Sequence, residues 1–250
     1  MLGLANQRGE FPVAGRLVVV GIGEVGATDS GLMNRLGDVV AVRVTSVRSM
    51  MSIMRKPKIN IRAAAKEEAH ERIVSAAARA IRRTGYAGTG VADIMKEAGL
   101  THGAFYAHFD SREAMLAEAA SRACAESAAA VSDVVARAPA DKALTAMLGA
   151  YLSREHMQRA EVGCPLAALG SETSRQASEV RHVATRHFKE MIDLVARQSP
   201  DWGQPSAHER ALVTVATMVG ALTLARAVDD AGLSDDLLKA ALKHLTAIGH

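Results

Sequence analysis

The chain has 250 residues and a formal net charge of +3; 49% of the residues are apolar, 23% charged and only 3% aromatic. An apolar share of this size supports a buried core and excludes global disorder, and the scarcity of aromatic residues favours helices over a β-sandwich or barrel. No run resembles the roughly 18 uncharged apolar residues of a membrane span, and two cysteines cannot form a disulfide framework. These features predict a soluble, cytoplasmic, mostly helical protein.

The charge is unevenly distributed along the chain. Residues 1–54 carry a net +1, residues 55–112 a net +5, and residues 113–250 a net −3. A basic block joined to an acidic body indicates that one part of the protein approaches a polyanion. Charge alone also fits a solvated helix face with excess arginine.

The first segment differs from the rest. A predicted strand, Arg16–Val20, is followed at once by Gly21, Gly23 and Gly26 in the G-x-G-x-x-G spacing. Glycines in this spacing let a pyrophosphate approach the backbone at a helix N-terminus, so a nucleotide-dependent enzyme is one alternative function. It is disfavoured because one βαβ fragment has no neighbouring strands to complete a parallel sheet.

Three methionines, Met50, Met51 and Met54, stand just before the basic segment, so the true start codon could lie among them. We therefore interpret residues 1–54 as a poorly ordered extension. The charges and glycines of this segment interrupt any apolar core, which excludes a secretory signal.

From Lys66 onward the apolar residues follow a helical period, and Gly85 stands where the first helix should end. A second, short helix is predicted over 91–98. A turn at Gly99 and a short third segment over 102–109 follow. Two short helices joined by a glycine-containing turn and supported by a longer one have the shape of a helix-turn-helix unit. A three-helix packing module without DNA binding is the alternative.

Four stretches of this region decide between these interpretations. They are Arg72-Ile-Val-Ser-Ala-Ala, Gly85-Tyr86, Val91-Ala-Asp-Ile and the continuous run Ala98–Glu113. Together they resemble the DNA-binding signature of the TetR/AcrR family. The resemblance spans about fifty residues, and the acidic helical part after residue 113 agrees with that family's ligand-binding and dimerisation domain.

The resemblance implies that the third helix enters the major groove of DNA. Tyr106 and His108 match phosphate-contacting positions, Arg112 stands where a phosphate-binding lysine is usual, and Thr89 would open the second helix. The implied DNA-binding residues are Arg62, Lys66, Thr89, Thr101, His102, Gly103, Ala104, Tyr106, His108 and Arg112.

Two further implications concern the third helix itself. Phe105 and Phe109 are expected in the core, where they fix the helix angle. Ala104 replaces a frequent threonine or serine, and no Asn, Gln or Arg lies between Thr101 and Phe109, so bidentate base recognition is sparse.

The fold class predicted from these patterns is all-α. It comprises an N-terminal three-helix helix-turn-helix DNA-binding domain over 55–112 and a C-terminal helical bundle for ligand binding and dimerisation over 113–250. Within the bundle, helices are predicted over 113–137, 141–157, 174–198, 206–229 and 235–248. The last two form the expected homodimer interface, because the helix 206–229 is apolar nearly all round.

A regulator also needs a ligand that binds two states unequally. The candidate effector pocket is an apolar set rich in methionine, although ordinary core packing explains each residue equally well. The set comprises Met147, Tyr151, Cys164, Phe188 and Met191. Cys164 lies at the start of a short helix, where the dipole would lower the pKa of its thiol and permit sensing of oxidants or electrophiles.

The function predicted from the sequence is therefore a DNA-binding transcriptional regulator, a repressor released from its operator by a small-molecule or electrophile effector. No catalytic motif, metal site or cofactor is expected, and no membrane partner. The alternatives are an enzyme using Gly21, Gly23 and Gly26, or a helical interaction module that does not bind DNA.

Overall fold

The computed structural model describes residues 61–248, and every regular element within them is a helix. The all-α prediction is thus confirmed for the described residues. The predicted strand Arg16–Val20 and the glycines Gly21, Gly23 and Gly26 lie outside the described residues.

The N-terminal part, here called the head, begins with α1 (Ile61–Thr84), α2 (Val91–Glu97) and a short 3₁₀ helix (His102–Ala107). The predicted start of α1 at Lys66 is wrong because the preceding Arg-Ala-Ala-Ala are strong helix formers with no breaker among them. Gly85 ends α1 as predicted, in the left-handed region at φ 77°.

The long helix α3 (Arg112–Arg137) leads from the head into the rest of the chain. Ser111 caps it, since its hydroxyl accepts a hydrogen bond from the Ala114 N–H at 3.0 Å. Both ends of this helix agree with the sequence prediction, in which an Asp-Ser pair opens it and Pro139 follows its end.

The C-terminal part, here called the body, contains α4 to α9, and its predicted helix 141–157 is wrong. The chain breaks after Tyr151, and Ser153 caps a separate helix by accepting the His156 N–H at 3.1 Å. The helices are α4 (Ala143–Tyr151), α5 (Arg154–Gln158), α6 (Pro165–Thr173), α7 (Ser178–Ala196), α8 (Pro205–Ala227) and α9 (Ala231–Ile248).

The last helix also begins earlier than predicted. Asp230 caps it, because its carboxylate accepts hydrogen bonds from the N–H groups of Gly232 at 2.8 Å and Leu233 at 3.1 Å. Ser234, the residue before the predicted start of this helix, is buried and donates its hydroxyl hydrogen to the Ala225 carbonyl oxygen of α8.

Two apolar clusters form the core. The first joins α1, α2, the 3₁₀ helix and the start of α3, and it includes Leu169 of α6 and Val180 of α7. The second joins α4, α6, α7, α8 and α9, with Val131 and Val135 of α3 packed against it. Because α3 and α6 contribute to both clusters, apolar packing links the head to the body.

Among the described residues, α8 is the one helix long and apolar enough to cross a membrane by length and composition alone. It contacts α6, α7 and α9 through one face, where Val215, Met218 and Leu222 are buried. The opposite face exposes Val213 and Leu224, so α8 lies at the surface of the chain with an uncovered apolar stripe.

Candidate DNA interface and effector pocket

The head holds its 3₁₀ helix against α1 through aromatic packing. Phe105 and Phe109 are buried as predicted, their rings stack with centroids 5.5 Å apart, and Phe109 stacks on His70 of α1 at 4.6 Å. Gly99, at φ 74°, supplies the left-handed turn between α2 and the 3₁₀ helix. These contacts fix the angle at which the 3₁₀ helix projects.

Four of the predicted DNA-contacting residues lie exposed on this helix and on the residue just before it. Tyr106 is 73% exposed, and its ring packs edge-on against the Phe105 ring, with the two centroids 5.3 Å apart. Ala104 is only partly exposed, because it packs against the first core cluster. The exposed set is Thr101, His102, Gly103 and Tyr106.

Thr89 does not offer its hydroxyl to a ligand. It is buried, donates a hydrogen bond to the Gly85 carbonyl oxygen at 2.7 Å, and shares a 3.0 Å hydrogen bond with the Thr84 hydroxyl. The N-cap of α2, immediately before its first residue Val91, is Gly90 instead. The predicted phosphate contact by the Thr89 side chain is therefore wrong: the hydroxyl ties the end of α1 to the start of α2.

Arg112 also has a role inside the head. Its guanidinium donates hydrogen bonds to the carbonyl oxygens of Tyr86 and Thr89, the latter at 3.1 Å. Arg112 thus joins the start of α3 to the loop before α2 through its Nη2 group. Its Nε and Nη1 donors are not used in these two bonds, so the phosphate contact by Arg112 stays a prediction.

His108 lies half-buried beside His70, with ring centroids 5.9 Å apart. Burial, and then the positive charges that His70 and Lys66 can carry, lower the pKa of His108. The imidazole is therefore neutral near pH 7, and it can meet a phosphate as a hydrogen-bond donor but not as a cation. Arg62 and Lys66 are exposed on the first turns of α1.

Part of the basic charge of the head is neutralised within the fold. Glu97 of α2 accepts hydrogen bonds from Arg79 at 2.9 Å and from Arg83 at 3.4 Å. Burial acts to raise the pKa of Glu97, but these two guanidinium groups outweigh it and leave the pKa lowered. The sequence shows the excess of basic residues in the head. It does not show that two arginines of α1 form ion pairs with an acid of α2 and so join the two helices.

The body contains a cavity of about 130 Å³ between α3, α4 and the loop before α6. Three of the five predicted pocket residues, Met147, Tyr151 and Cys164, line it, and so does His156. Its other lining residues are Ser127, Ala130, Val131, Val134, Ala150, Val162 and Gly163.

The remaining two predicted pocket residues lie elsewhere. Met191 lines a separate groove of about 310 Å³ between α3 and α7, together with Glu190 and Arg197. Phe188 packs partly buried against the second core cluster and is not among the residues that line the cavity. The sequence grouped both residues with the pocket as part of an apolar, methionine-rich set, and that pattern could not show which cavity each residue meets.

His156 organises the cavity wall. Its Nδ1–H donates to the Tyr151 carbonyl oxygen at 2.7 Å, and its Nε2 accepts the Cys164 N–H at 2.9 Å. Burial lowers the pKa of this imidazole, although the hydrogen bond to Tyr151 acts to raise it. Both nitrogens are occupied, so His156 is a neutral clamp between α4 and the start of α6.

Tyr151 turns its ring edge toward His156, with centroids 4.7 Å apart, and is only 3% exposed. Its hydroxyl has no hydrogen-bond partner of suitable geometry, although the Cys164 thiol lies close enough to interact with it. Burial, and then Cys164, raise the pKa of Tyr151, so the phenol keeps its proton. A buried O–H without a strong acceptor is a group that a ligand can satisfy.

Both cysteines are free and buried. Cys164 precedes the first turn of α6 and is 1% exposed. Burial raises the pKa of the Cys124 thiol to about 12, which makes that sulfur unreactive at neutral pH. Between residues 61 and 248, no group of three or more His, Cys, Asp or Glu side chains is arranged to hold a metal ion.

Two sets of polar contacts connect the body with the head, and the first of them reaches the cavity wall. Arg82 of α1 donates to the Gly163 carbonyl oxygen and, at 2.6 Å, to the Glu126 carboxylate of α3. Glu172 of α6 accepts the Tyr86 N–H at 3.0 Å just beyond the end of α1. Neither contact can be predicted from the sequence, since the partners are 81 and 86 positions apart.

A three-helix head with an exposed recognition segment, carried on a helical body that encloses a cavity, defines the class of helix-turn-helix transcriptional regulators. Residues 73–119 match the family model of bacterial regulatory proteins of the tetR family. Residues 139–233 match the model of the C-terminal domain of LmrA/YxaF-like transcriptional regulators. The chain belongs to the TetR family.

Relatives agree with this assignment. The HTH-type transcriptional regulator Rv0196 of Mycobacterium tuberculosis strain H37Rv is 29% identical over 164 residues, which cover 62% of this chain and 83% of the relative. A TetR regulator from Chloroflexus aurantiacus has a TM-score of 0.63 at 25% identity, covering 74% of this chain and 95% of that one. Reduced NemR of E. coli shares the fold, with a TM-score of 0.61 at 20% identity over 72% of this chain and 95% of that one. These matches are to transcriptional regulators rather than to enzymes.

Proposed function

We propose that the protein is a homodimeric repressor that an effector, bound in the cavity beside Tyr151, releases from its operator. The observation that carries the proposal is the shared contact at Gly163, whose carbonyl oxygen binds Arg82 of the head and whose backbone lines the cavity. A ligand that displaces this wall acts on α1 directly, and it acts on α3 through Glu126 and the cavity residues of that helix.

The proposed DNA surface consists of the exposed residues Thr101, His102, Gly103 and Tyr106, with Arg62 and Lys66 at the start of α1 as backbone contacts. Thr101 and His102 are the candidates for base contacts, and Ala104 for apolar contact with thymine methyl groups. The Tyr106 hydroxyl suits a phosphate contact.

The proposed dimer forms through α8 and α9. The uncovered stripe of α8, with Val213 and Leu224 exposed, is the surface that a second copy would cover. Leu233 of α9 lies exposed as well and would extend the same contact. A dimer of this kind presents two heads to two half-sites. Selective binding requires this pairing, because a single helix-turn-helix unit binds too weakly.

The DNA-binding part is tested by mobility-shift titration of the full chain against duplex fragments upstream of its own gene and the neighbouring genes. We expect an affinity that falls steeply with salt, because phosphate contacts release counterions. Tyr106→Ala should weaken binding at least about tenfold through loss of a hydrogen bond to a charged group.

Trp202→Ala is the matched control, since Trp202 is also an exposed aromatic residue but lies in the loop between α7 and α8. It should leave DNA affinity unchanged. A chain that binds none of the fragments at low salt would contradict the proposal and favour an interaction module. Nicotinamide binding without DNA affinity would favour the enzyme alternative.

Cys164 gives a second candidate for the effector, an electrophile. Its sulfur would displace a leaving group or add to an activated double bond, forming a carbon–sulfur bond as the thiol loses its proton. The location of Cys164 in the cavity wall supports this candidate, and its 1% exposure limits it to reagents small enough to enter. Iodoacetamide should release DNA from the wild type but not from Cys164→Ser, and equal release from both would exclude the candidate.

A further inference from the structure

We propose that the cavity beside Tyr151 takes an uncharged molecule about the size of one aromatic ring, carrying a single oxygen that accepts a hydrogen bond from the Tyr151 hydroxyl. This inference rests on the effector role proposed above and specifies the chemistry of the ligand.

The volume of the cavity limits the size of the ligand. The space between α3, α4 and the loop before α6 is about 130 Å³. A dry engineered cavity of roughly 150 Å³ holds one benzene molecule, whereas drug-sized ligands occupy pockets of about 300 Å³ or more. One substituted ring with its substituent toward the partly open mouth fits this space, and a larger ligand would extend through the mouth beyond the cavity.

The lining carries no charged side chain. None of the residues that line the cavity is Asp, Glu, Lys or Arg. His156 stays neutral, since both of its nitrogens are occupied and burial lowers its pKa. An ion that met this lining alone would lose its hydration without gaining a partner, which is costly.

The guanidinium of Arg226 lies near the cavity wall but is not among the residues that line the cavity. It donates to the carbonyl oxygens of His156 at 2.7 Å and of Met157 at 3.0 Å, and it lines a different groove with Asp229, Asp230 and Asp235. Its Nη1 is buried without a hydrogen-bond partner, and Tyr151 and Cys164 are among the groups that act on its pKa. The anionic probe below tests whether this cation attracts a charged ligand.

Tyr151 supplies the polar anchor. Its ring and the Met147 thioether offer the apolar and sulfur–aromatic contacts that suit a flat ring. Its buried hydroxyl meets only the Cys164 thiol, a weak partner. A ketone, aldehyde or phenol oxygen would provide the hydrogen-bond acceptor that this O–H lacks within the protein.

The experiment measures direct binding of three probes to the full chain by calorimetry, in the absence of DNA. Acetophenone has the ring and the acceptor, ethylbenzene has the ring alone, and benzoate adds a negative charge. We expect acetophenone to bind about threefold to tenfold more tightly than ethylbenzene, the effect of one neutral hydrogen bond. Benzoate should not bind measurably.

Two variants and a control locate the site. Tyr151→Phe should remove the preference for acetophenone and leave ethylbenzene binding unchanged. Ala150→Phe should block all probes, because Ala150 lines the mouth but is itself exposed, so the change spares the core. Tyr86→Phe makes the same chemical change at a buried tyrosine in the first core cluster and should alter no probe's affinity.

Three outcomes would overturn the inference: no probe binds, benzoate binds as tightly as acetophenone, or Tyr151→Phe keeps the wild-type preference. Each of these is independent of DNA binding, so the regulator proposal survives them. Conversely, acetophenone that binds as expected but leaves the mobility shift unchanged supports the assigned ligand chemistry and contradicts the release mechanism.

Discussion

The guanidinium of Arg82 donates a hydrogen bond to the carbonyl oxygen of Gly163 at a distance of 3.4 Å. Arg82 belongs to α1 and its side chain is 0% exposed, while Gly163 lies in the wall of the cavity. The same guanidinium binds the Ala78 carbonyl oxygen at 3.0 Å and the Glu126 carboxylate at 2.6 Å. One buried cation thus holds α1, α3 and the cavity wall together.

The first prediction concerns this cation. Arg82→Met should lower the free energy of unfolding by about 2 to 3 kcal/mol, because it leaves Glu126 and the Gly163 carbonyl oxygen without their partner. The loss falls short of that for a fully buried pair because Glu126 is 38% exposed. Urea unfolding followed by circular dichroism measures it.

Arg83→Met is the matched control for Arg82→Met. Arg83 is the next residue of α1, but it is exposed and pairs with Glu97 at 3.4 Å. A surface pair of this kind contributes about 0 to 1 kcal/mol. Equal destabilisation by the two variants would show that Arg82 does not hold the three elements together.

The second prediction separates backbone strain from steric contact at two glycines in the same conformation. Gly85 and Gly99 have φ angles of 77° and 74°. A Cβ at Gly99 meets nothing within 4 Å, whereas a Cβ at Gly85 would overlap the Glu172 carboxylate that binds the Tyr86 N–H.

Gly99→Ala should therefore cost about 1 kcal/mol, the strain of a left-handed residue with a Cβ. Gly85→Ala should cost about 1 to 3 kcal/mol more, because Glu172 must move and leave the Tyr86 N–H unsatisfied. The difference between the two unfolding free energies is the measurement. A difference near zero would show that the contact between α6 and the end of α1 contributes nothing to stability.

The third prediction concerns pH. His187 of α7 is buried and neither ring nitrogen has a hydrogen-bond partner, and burial lowers its pKa below the ordinary 6.5, although Glu190 acts to raise it. The unfolded chain takes up a proton at this residue at a higher pH than the folded chain does. Stability is therefore fully present above about pH 6.5 and falls as the pH drops below that value.

His187→Leu should flatten this dependence by up to about 1.4 kcal/mol per pH unit, the limit for one titrating group. At pH 7.5 the variant should be as stable as the wild type or more so, since it removes an unsatisfied buried ring. Unfolding free energies at pH 7.5, 6.5 and 5.5 provide the test. An unchanged slope in the variant would assign the acid sensitivity to His156 or His108, whose pKa values are also lowered by burial.

The fourth prediction concerns the uncovered stripe of α8. Leu224→Glu places a charge on a residue that is 54% exposed in the single chain, so the fold should remain intact. In the proposed dimer the charge would be buried without a partner, and the dimer should dissociate. Sedimentation velocity measures the oligomeric state. Operator affinity should fall when the dimer dissociates. Ala129→Glu, at an exposed position of α3, should leave both unchanged.

The sequence predicted the elements that local signals define. Ser111 and Gly85 mark the start of α3 and the end of α1 through capping and left-handed geometry, and both positions are confirmed. Predicted boundaries were wrong where a side chain bonds across the fold or where a stronger cap competes. Ser234 lies just before the predicted start of α9, but its hydroxyl donates a hydrogen bond to a carbonyl oxygen of α8. Asp230 caps α9 instead.

The same distinction applies to the functional sites. The resemblance to the TetR/AcrR signature implied that Phe105 lies in the core and that Tyr106 faces DNA, and the structure has Phe105 buried and Tyr106 exposed. Thr89 and Arg112 matched family positions, yet the Thr89 hydroxyl and the Arg112 Nη2 group bind backbone carbonyls that only folding brings near. Tyr151 and Cys164 are brought to one cavity by the break at Ser153, which the sequence interpretation did not include.

On the 3₁₀ helix, different residues pack in the core and face the solvent, and this separation affects how the DNA specificity of this regulator can evolve. Phe105 and Phe109 secure the helix, while Thr101, His102 and Gly103 are exposed and a Cβ at Gly103 would meet nothing within 4 Å. Substitutions at such surface positions alter stability by only about 0.5 kcal/mol. New operator preferences can therefore arise here one residue at a time, with little penalty to folding.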